Sequence, residues 1–123
     1  MVFKVTFFIK KREDITLEEF SSYWDHQHAN LFVSQEAVKK NLVKYSQFHL
    51  APQYNEKLAS LGMVIAPYDG IAEIWVEEFE DILAYFSNKD TMVSMRADHK
   101  NFVDQSSPPI VLIGEEHEKW KKP

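Results

Sequence analysis

Residues 2–10, VFKVTFFIK, are rich in β-branched and aromatic side chains, a composition that favours a β-strand. Successive side chains of a strand point to opposite faces, so one face of this strand is wholly apolar and carries Phe3, Val5, Phe7 and Ile9. Phe8, on the other face, is also large and apolar. Because neither face is suited to water, we expect a sheet that is covered on both sides.

The rest of the chain divides into helical and extended segments. Thr16 and Glu19 match the capping-box pattern at the start of a helix. A long connection over 51–68 contains Pro52 and Gly62 and is expected to be partly helical. The elements expected after the first strand are a helix over 16–28, a short helix over 34–41, strands over 42–50 and 70–76, helices over 79–87 and 90–102, and a strand over 110–116.

This order of elements predicts the fold class. Strand, helix, strand, strand, helix, strand is the ferredoxin-like βαββαβ plan, an α+β fold with a four-stranded antiparallel sheet and helices on one face. The other face would remain bare in a single chain although it carries apolar groups. We therefore expect a homodimer formed through the sheet face.

Composition narrows the functional classes. The chain has 123 residues, which is the size of one domain, residues 1–123. A formal net charge of -5 without a basic stripe argues against nucleic acid or a membrane as partner. The chain has no cysteine, which excludes thiolate nucleophiles and zinc–thiolate sites and fits a reducing, cytoplasmic setting. The apolar N-terminus is too short to cross a bilayer.

Two histidines lie in the segment YWDHQHANLF, residues 23–32. Each residue of an α-helix turns the chain by about 100°, so His28 lies on the same side as Trp24, and His26 lies opposite. His28 is therefore expected to face the core at the C-terminal end of the helix. There the helix dipole favours the protonated imidazole and burial disfavours it, which suits a proton-transfer group. Alternatively, His28 only caps the last helical turn or forms a hydrogen bond with a backbone carbonyl.

Three further residues are candidates for catalysis or binding. His49 shares a strand face with Tyr45 and Gln47. It is a second proton-transfer group, a hydrogen-bonded strand histidine without a catalytic role, or a dimer contact. Glu73 is expected to be partly buried, and a buried carboxylate needs a partner. Asp69 precedes a glycine and is either catalytic or simply a turn former.

We expect neither a metal nor a nucleotide cofactor. His28, His49, Asp69 and Glu73 are possible ligand types, but nothing has the ligand spacing of a zinc motif. With 3 glycines in the whole chain there is no glycine-rich phosphate loop. No serine lies in a nucleophile-elbow context.

Three segments resemble the EthD-domain family. LEEFSSYWDHQHANLF, residues 17–32, is similar to the family's Phe-x-x-Tyr-Trp helix, which leads to a histidine and an alanine. YDGIAEIWVEEFEDILAYFSN, residues 68–88, resembles its Asp-Gly strand and following helix. ADHKNFVD, residues 97–104, resembles its late Asp-to-Phe-to-Asp segment. Together these segments span most of the chain in the family's order.

The resemblance implies a dimeric α+β barrel with a cavity between sheet and helices. It places the family's motif histidine at His28, and Asp69, Phe102 and Asp104 at recurrent positions. In one departure, Asn30 stands where the family usually has a proline after His-Ala. That change either frees an amide near the histidine or loosens the end of the helix.

Within the family, the chain looks most like small fungal members from aromatic polyketide pathways of secondary metabolism. These are cofactor-free decarboxylases or dehydratases, so the resemblance implies a carbon–carbon or carbon–oxygen lyase acting on a small aromatic polyketide. His28 would be the main acid/base, with His49 and Asp69 as further catalytic candidates. The candidate substrate-binding residues are Phe8, Trp24, Asn30, Tyr45, Glu73, Trp75 and Phe102.

Two other functions remain open at this point. A cofactor-independent monooxygenase could oxidise a phenolic, anthrone-type substrate, because the same histidine would form the phenolate that reacts with O2. A dimeric module could instead bind aromatic molecules without catalysis. A lyase turns over without oxygen, a monooxygenase does not, and a binding module has no turnover to lose.

Overall fold

The computed structural model describes residues 2–123 of the chain. Its four strands and six α-helices follow the predicted order. A π-helical turn, Trp24–His28, separates the first two helices, and a 3-10 turn, Pro52–Tyr54, precedes the fourth. The strands and helices are β1 (Phe3–Ile9), α1 (Leu17–Tyr23), α2 (Ala29–Ser34), α3 (Glu36–Asn41), β2 (Lys44–His49), α4 (Asn55–Ser60), β3 (Gly70–Val76), α5 (Phe79–Ser87), α6 (Lys89–His99) and β4 (Ile110–Glu115).

The sheet has the strand order β2-β3-β1-β4, and every neighbouring pair is antiparallel. In the register of the central pair, Val5 lies opposite Ile74, and Tyr45 of β2 lies opposite the same Ile74. These three residues belong to the core beneath the helices. The predicted ferredoxin-like fold is thus confirmed, with the helices on one face of the sheet.

Two buried clusters hold the helices on this face. One joins α2, α3, α5 and α6 to the centre of the sheet, and includes Val76 and Met95. The other joins Phe20, Trp24 and Phe102, which are exposed by 1% or less. Gly70 makes this second cluster possible, because a Cβ atom at that position would lie 2.6 Å from the indole ring of Trp24.

The first helical region is longer than predicted. It was expected to end near His28, but the chain stays helical to Ser34 and turns extended only at Gln35. No glycine or proline occurs before Pro52, so nothing in the sequence interrupts the helix at His28. The last helix is shorter than predicted and ends at His99, where Phe102 N donates to the His99 carbonyl in a tight turn.

The opposite sheet face is uncovered in the single chain. Phe48 of β2 and Leu112 of β4 point away from the helices and are 53% and 61% exposed. Ile110 of β4 shares this face with Leu112 and is also exposed, whereas Val111 and Ile113 lie on the helix side of the same exposed edge strand. The apolar character expected of this face is therefore present. Among residues 2–123, no helix is long and apolar enough to cross a membrane.

Candidate functional site

The π-helical turn places one histidine inside the protein and one outside. Trp24 and His28, at the two ends of the turn, are 1% and 5% exposed. The side chain of His26, between them, is 70% exposed. The positions therefore agree with the helical-face argument, while a catalytic role for His28 stays a prediction. Single π turns inside α-helices are frequent at functional sites.

His28 is hydrogen-bonded to a buried carboxylate that the sequence analysis did not identify. Nδ1 of His28 lies 2.7 Å from Oδ2 of Asp98, which comes from the last turn of α6. The Tyr23 hydroxyl donates to the other carboxylate oxygen at 2.6 Å. Asn101 in turn donates to the Tyr23 oxygen at 2.9 Å. Both carboxylate oxygens thus accept hydrogen bonds, and the chain Asn101–Tyr23–Asp98–His28 is continuous.

The charges of this chain follow from its burial. Burial favours the neutral carboxyl, but hydrogen bonds from Tyr23 and His28 outweigh it and lower the pKa of Asp98. Burial also lowers the pKa of His28, against the opposing effect of Asp98. At neutral pH Asp98 is therefore ionised and His28 neutral. An ionised carboxylate can only accept, so Nδ1 of His28 carries the hydrogen and Nε2 presents a lone pair.

Nε2 of His28 is the ring nitrogen that Asp98 does not bind. It makes no hydrogen bond to the protein. Every fully buried side-chain nitrogen or oxygen of residues 2–123 does have a hydrogen-bond partner. This nitrogen therefore keeps contact with solvent. The imidazole is surrounded by aromatic rings, with centroids 4.9 Å away for Phe102, 5.2 Å for His99 and 6.0 Å for Phe32.

His99 is a second imidazole beside His28 and follows Asp98 in the sequence. Burial and the neighbouring His28 lower the pKa of His99 to about 4. Both imidazoles are therefore neutral at neutral pH. A positive charge on one ring would repel a positive charge on the other. The neutral ring of His99 therefore adds no charge to the surroundings of His28.

A second polar cluster lies on β2, on the same side of the sheet. Gln47 Nε2 donates to the Trp24 carbonyl at 2.8 Å and to the Tyr45 oxygen at 2.7 Å. Nε2 of His49 lies 2.7 Å from Oε1 of the same glutamine. The imidazole of His49 also packs on the indole of Trp24, with 4.6 Å between ring centroids. Phe32 links the two clusters, since its ring lies 4.4 Å from that of Tyr45.

Three predicted binding residues lie on the opposite face of the sheet. By strand alternation Phe8, Glu73 and Trp75 point away from His28, and cannot line a site with it in one chain. Glu73 forms a salt bridge with Lys4, and Trp75 lies beneath Lys4. These contacts account for the partly buried carboxylate without a catalytic role.

Asp69 and Asn30 also lie apart from the histidine. Oδ2 of Asp69 accepts a hydrogen bond from the Lys11 backbone at 2.8 Å, which ties the start of β3 to the end of β1. Asn30 is exposed on α2. Trp24 and Phe102, in contrast, are close to the predicted site, as buried walls of the cluster. The structure thus brings His28, Trp24, Tyr45, His49 and Phe102 together.

Asp98 could have been found from the sequence. Thr91, Met95, Asp98 and Phe102 recur at the spacing of one helical face, and all four are buried. An aspartate on such a stripe is unusual, because a buried carboxylate needs hydrogen-bond donors. Tyr23 and Asn101 left no comparable signal, because both lie at the rim of the cluster.

The structure offers no evident metal site. Among residues 2–123 there is no group of three or more His, Cys, Asp or Glu side chains that could hold an ion. The surface depressions include one around Arg12 and Lys100 and one lined by Tyr23 with Thr16, Glu18, Glu19, Ser22 and Gln27. His28 lines neither of them.

Solved structures share this fold at low sequence identity. An EthD family protein from Bacillus halodurans C-125 is 16% identical, with a TM-score of 0.61 and coverage of 95% of this chain and 100% of that one. A dimeric protein of unknown function with a ferredoxin-like fold, from Bacteroides fragilis NCTC 9343, is 14% identical, with a TM-score of 0.56 and coverage of 94% and 96%. A putative antibiotic biosynthesis monooxygenase from Nitrosomonas europaea is 9% identical, with a TM-score of 0.56 and coverage of 94% and 89%.

The sequence comparison is more specific than the fold. No curated protein matches the chain. The sequence model of the EthD domain, however, matches residues 12–106, a range that runs from the end of β1 past α6 and contains His28, Gln47 and Asp98. The chain therefore belongs to the EthD domain family.

Proposed function

We propose that the chain is a cofactor-free lyase that removes CO2 or water from a hydroxylated aromatic polyketide by proton transfer at His28. One observation carries the proposal: a buried, neutral imidazole whose Nδ1 is held by an ionised carboxylate and whose Nε2 has no protein partner. A histidine that is oriented by a carboxylate on one nitrogen and free on the other is a common arrangement in enzymes that use acid/base catalysis.

The hydrogen-bond chain defines what each residue does. Nε2 of His28 takes a proton from a phenolic or enolic hydroxyl of the substrate, and Asp98 stabilises the imidazolium that forms. Tyr23 and Asn101 hold the carboxylate in place and keep it ionised. Asp98 is thus a positioning residue, and His28 is the catalytic one.

The proton is returned in the second half of the reaction. In decarboxylation of a β-keto acid, the bond to the carboxylate breaks, its electron pair forms an enolate, and CO2 leaves. His28 then protonates the enolate carbon. In dehydration of a β-hydroxy ketone, Nε2 of His28 instead removes a proton from the carbon beside the carbonyl and an enolate forms. The same proton then goes to the departing hydroxyl, which leaves as water. Neither sequence needs an external oxidant or electron sink.

Aromatic surroundings support a flat substrate. Phe32, Phe102 and His99 surround the imidazole, and such rings favour stacking on planar molecules. The low-polarity setting also strengthens the interaction of fixed dipoles with a developing enolate. The polyketide class itself rests on the likeness of the strand KYSQFHL, residues 44–50, to the small polyketide-tailoring members of the family.

We also propose that the working form is a homodimer through the bare sheet face. Exposed apolar residues on β2 and β4 support this, as does the dimeric state of a protein with the same fold. In the dimer Phe8, Glu73 and Trp75 would be interface residues. This assignment differs from the substrate-binding role that the sequence predicted for them.

The decisive experiment compares two histidines of one helical turn. With an anthrone-type carboxylic acid as substrate, His28→Ala should lower kcat by about 10²- to 10⁴-fold. His26→Ala should change it little, because that ring is in solvent. Product masses measured under argon report CO2 or water loss, and circular dichroism confirms the fold of both variants. Equal losses in the two variants would refute the assignment of His28.

Oxygen dependence separates the second candidate function. Turnover that persists under argon supports a lyase. Turnover that stops under argon, with an oxygenated product in air, would instead identify a cofactor-independent monooxygenase using the same base. If neither product forms but the aromatic acid binds, the non-catalytic binding module is the remaining function.

A further inference from the structure

The amide of Gln47 has only one possible orientation. One of its terminal atoms lies 2.8 Å from the carbonyl oxygen of Trp24, which can only accept hydrogen bonds. That atom must therefore be the nitrogen, and the flipped amide would place two acceptors against each other. The orientation is thus imposed by the backbone of the π-helical turn.

This orientation determines the hydrogen positions of its two neighbours. With both amide hydrogens donated, to Trp24 and to the Tyr45 oxygen, Oε1 of Gln47 faces Nε2 of His49 at 2.7 Å. Nε2 of His49 must then carry a hydrogen, which leaves Nδ1 as the acceptor of a neutral ring. The Tyr45 oxygen accepts from Gln47, so its own hydrogen remains to be donated.

The hydroxyl of Tyr45 keeps that hydrogen over the working pH range. Burial raises the pKa of Tyr45 to about 12, against the opposing hydrogen bonds from Gln47 and Trp24. Among residues 2–123 no acceptor receives the hydrogen. Phe32 packs on Tyr45 and on His28, so this donor belongs to the same aromatic region as the proposed base.

We infer that Gln47 is a positioning residue for ligand recognition: it makes Tyr45 a hydrogen-bond donor and Nδ1 of His49 an acceptor, a pair suited to an aromatic ligand with both a carbonyl and a hydroxyl group. The inference rests on the proposed function for its ligand class. The Tyr45 hydroxyl would then donate a hydrogen bond to the substrate carbonyl oxygen, and this bond would stabilise the enolate that forms during the reaction.

If Gln47 positions the donor of Tyr45, what matters at residue 47 is whether its side chain donates a hydrogen to Tyr45 or accepts one from it. In Gln47→Glu the carboxylate captures the Tyr45 hydrogen, so the donor is lost although the bond to His49 survives. In Gln47→Leu all three hydrogen bonds are lost, but Tyr45 keeps its hydrogen. Because the carboxylate of Gln47→Glu also faces the Trp24 carbonyl, a purely structural role predicts damage in both variants of residue 47. Tyr45→Phe separates the two roles, since it removes the donor but keeps the bonds of Gln47 to Trp24 and His49.

The test uses binding of 1,8-dihydroxyanthraquinone, which carries adjacent hydroxyl and carbonyl groups, followed by its visible absorbance at pH 8. Tyr45→Phe and Gln47→Glu should each weaken binding by about tenfold, which corresponds to one lost hydrogen bond. The double variant should bind no more weakly than Gln47→Glu, because both changes remove the same donor. Gln47→Leu should be affected less.

Gln35→Glu is the matched control, because the Gln35 amide also donates to a backbone carbonyl, at Leu31, but contacts neither Tyr45 nor His49. It should bind the probe like the unaltered chain. Nitrogen NMR of histidine-labelled protein provides a readout without any ligand. The neutral ring of His49 should carry its hydrogen at Nε2, and that of His28 at Nδ1.

The outcomes separate this inference from the proposed function. Any of four results would overturn the inference. These are additive losses of binding in the double variant, weaker binding by Gln47→Leu than by Gln47→Glu, a hydrogen on Nδ1 of His49, or no binding of the probe. His28→Ala should still bind the probe while losing turnover. If His28→Ala keeps its turnover, the proposed function fails, and the probe and NMR results still decide the role of Gln47.

Discussion

The two faces of the sheet use similar residues in different ways. Each carries a carboxylate beside aromatic rings, Asp98 near the helix-covered face and Glu73 on the bare face. Glu73 is neutralised by Lys4 at the surface, which leaves nothing unsatisfied. Asp98 pairs with no lysine or arginine of residues 2–123 and accepts its hydrogen bonds from Tyr23 and His28. Asp98 is therefore placed to stabilise a proton on the imidazole, whereas Glu73 is paired with Lys4 on the face away from His28.

The sharpest test exchanges each carboxylate for its amide. Asp98→Asn should lower kcat by about 10²- to 10⁴-fold, because the amide cannot stabilise the imidazolium or hold the Nδ1–H tautomer. Glu73→Gln should change kcat by less than about twofold, since the Lys4–Glu73 pair lies on the sheet face away from His28. Steady-state kinetics on both purified variants check this. Similar losses in both would remove the functional distinction between the faces.

The bare face is tested by a charge placed in its apolar strand. Leu112→Glu should weaken the proposed dimer by about a hundredfold or more, because a two-fold interface brings the new charges close together. Light scattering at micromolar concentration should then show a mass near 14.5 kDa. Val93→Glu, on the exposed side of α6, is the control. A monomeric unaltered chain would contradict the use of this face for association.

The covered face should give the protein a characteristic response to acid. The pKa of His99 is about 4, below its ordinary value of 6.5, and the pKa of His28 is also lowered. The unfolded chain therefore binds more protons than the folded one below pH 6.5, and stability falls as pH falls toward 4. His99 alone should contribute a loss of about 2 to 3 kcal/mol between pH 7.5 and 4.5.

Urea unfolding at the two pH values measures this loss. His99→Leu should show a smaller decrease in the free energy of unfolding between them. His117→Leu, in the exposed C-terminal tail, should behave like the unaltered chain. An unchanged acid response in His99→Leu would show that His99 is accessible and titrates normally.

The smallest expected effect concerns how closely the helix approaches the sheet. Gly70→Ala should destabilise the protein by about 1 to 3 kcal/mol, because its Cβ would lie 2.6 Å from the Trp24 ring. Gly114→Ala in β4 has no atom within 4 Å of the new Cβ and should cost much less. Thermal unfolding of both variants compares the covered strand with the exposed one, and equal costs would contradict the close approach.

The fold was predictable because its signals are local. The bounds of β3 and α5 agree with the expected segments, since turn residues and caps flank each of them. The capping box at Thr16 is also observed. The π-helical turn was not predicted, because it differs from an α-helix only in its hydrogen bonding, and no residue type demands it.

The candidate site was only half predictable. Helical spacing indicated that His28 faces inward, but its partner Asp98 lies 70 residues away in sequence. Strand alternation grouped Glu73 with Trp75 correctly, but could not say which face of the sheet meets the helices. The binding role expected of Phe8, Glu73 and Trp75 stays a prediction, although all three lie on the sheet face away from His28.

The sequence by itself determined the order of strands and helices, the inward direction of one histidine and the apolar character of both sheet faces. These depend on the periodicity of neighbouring residues, which the chain carries locally. Only the tertiary structure decided that Asp98 and Tyr23 meet His28, and that Gln47 links Trp24, Tyr45 and His49. Hydrogen bonds between distant segments depend on packing in three dimensions, and no local pattern encodes them.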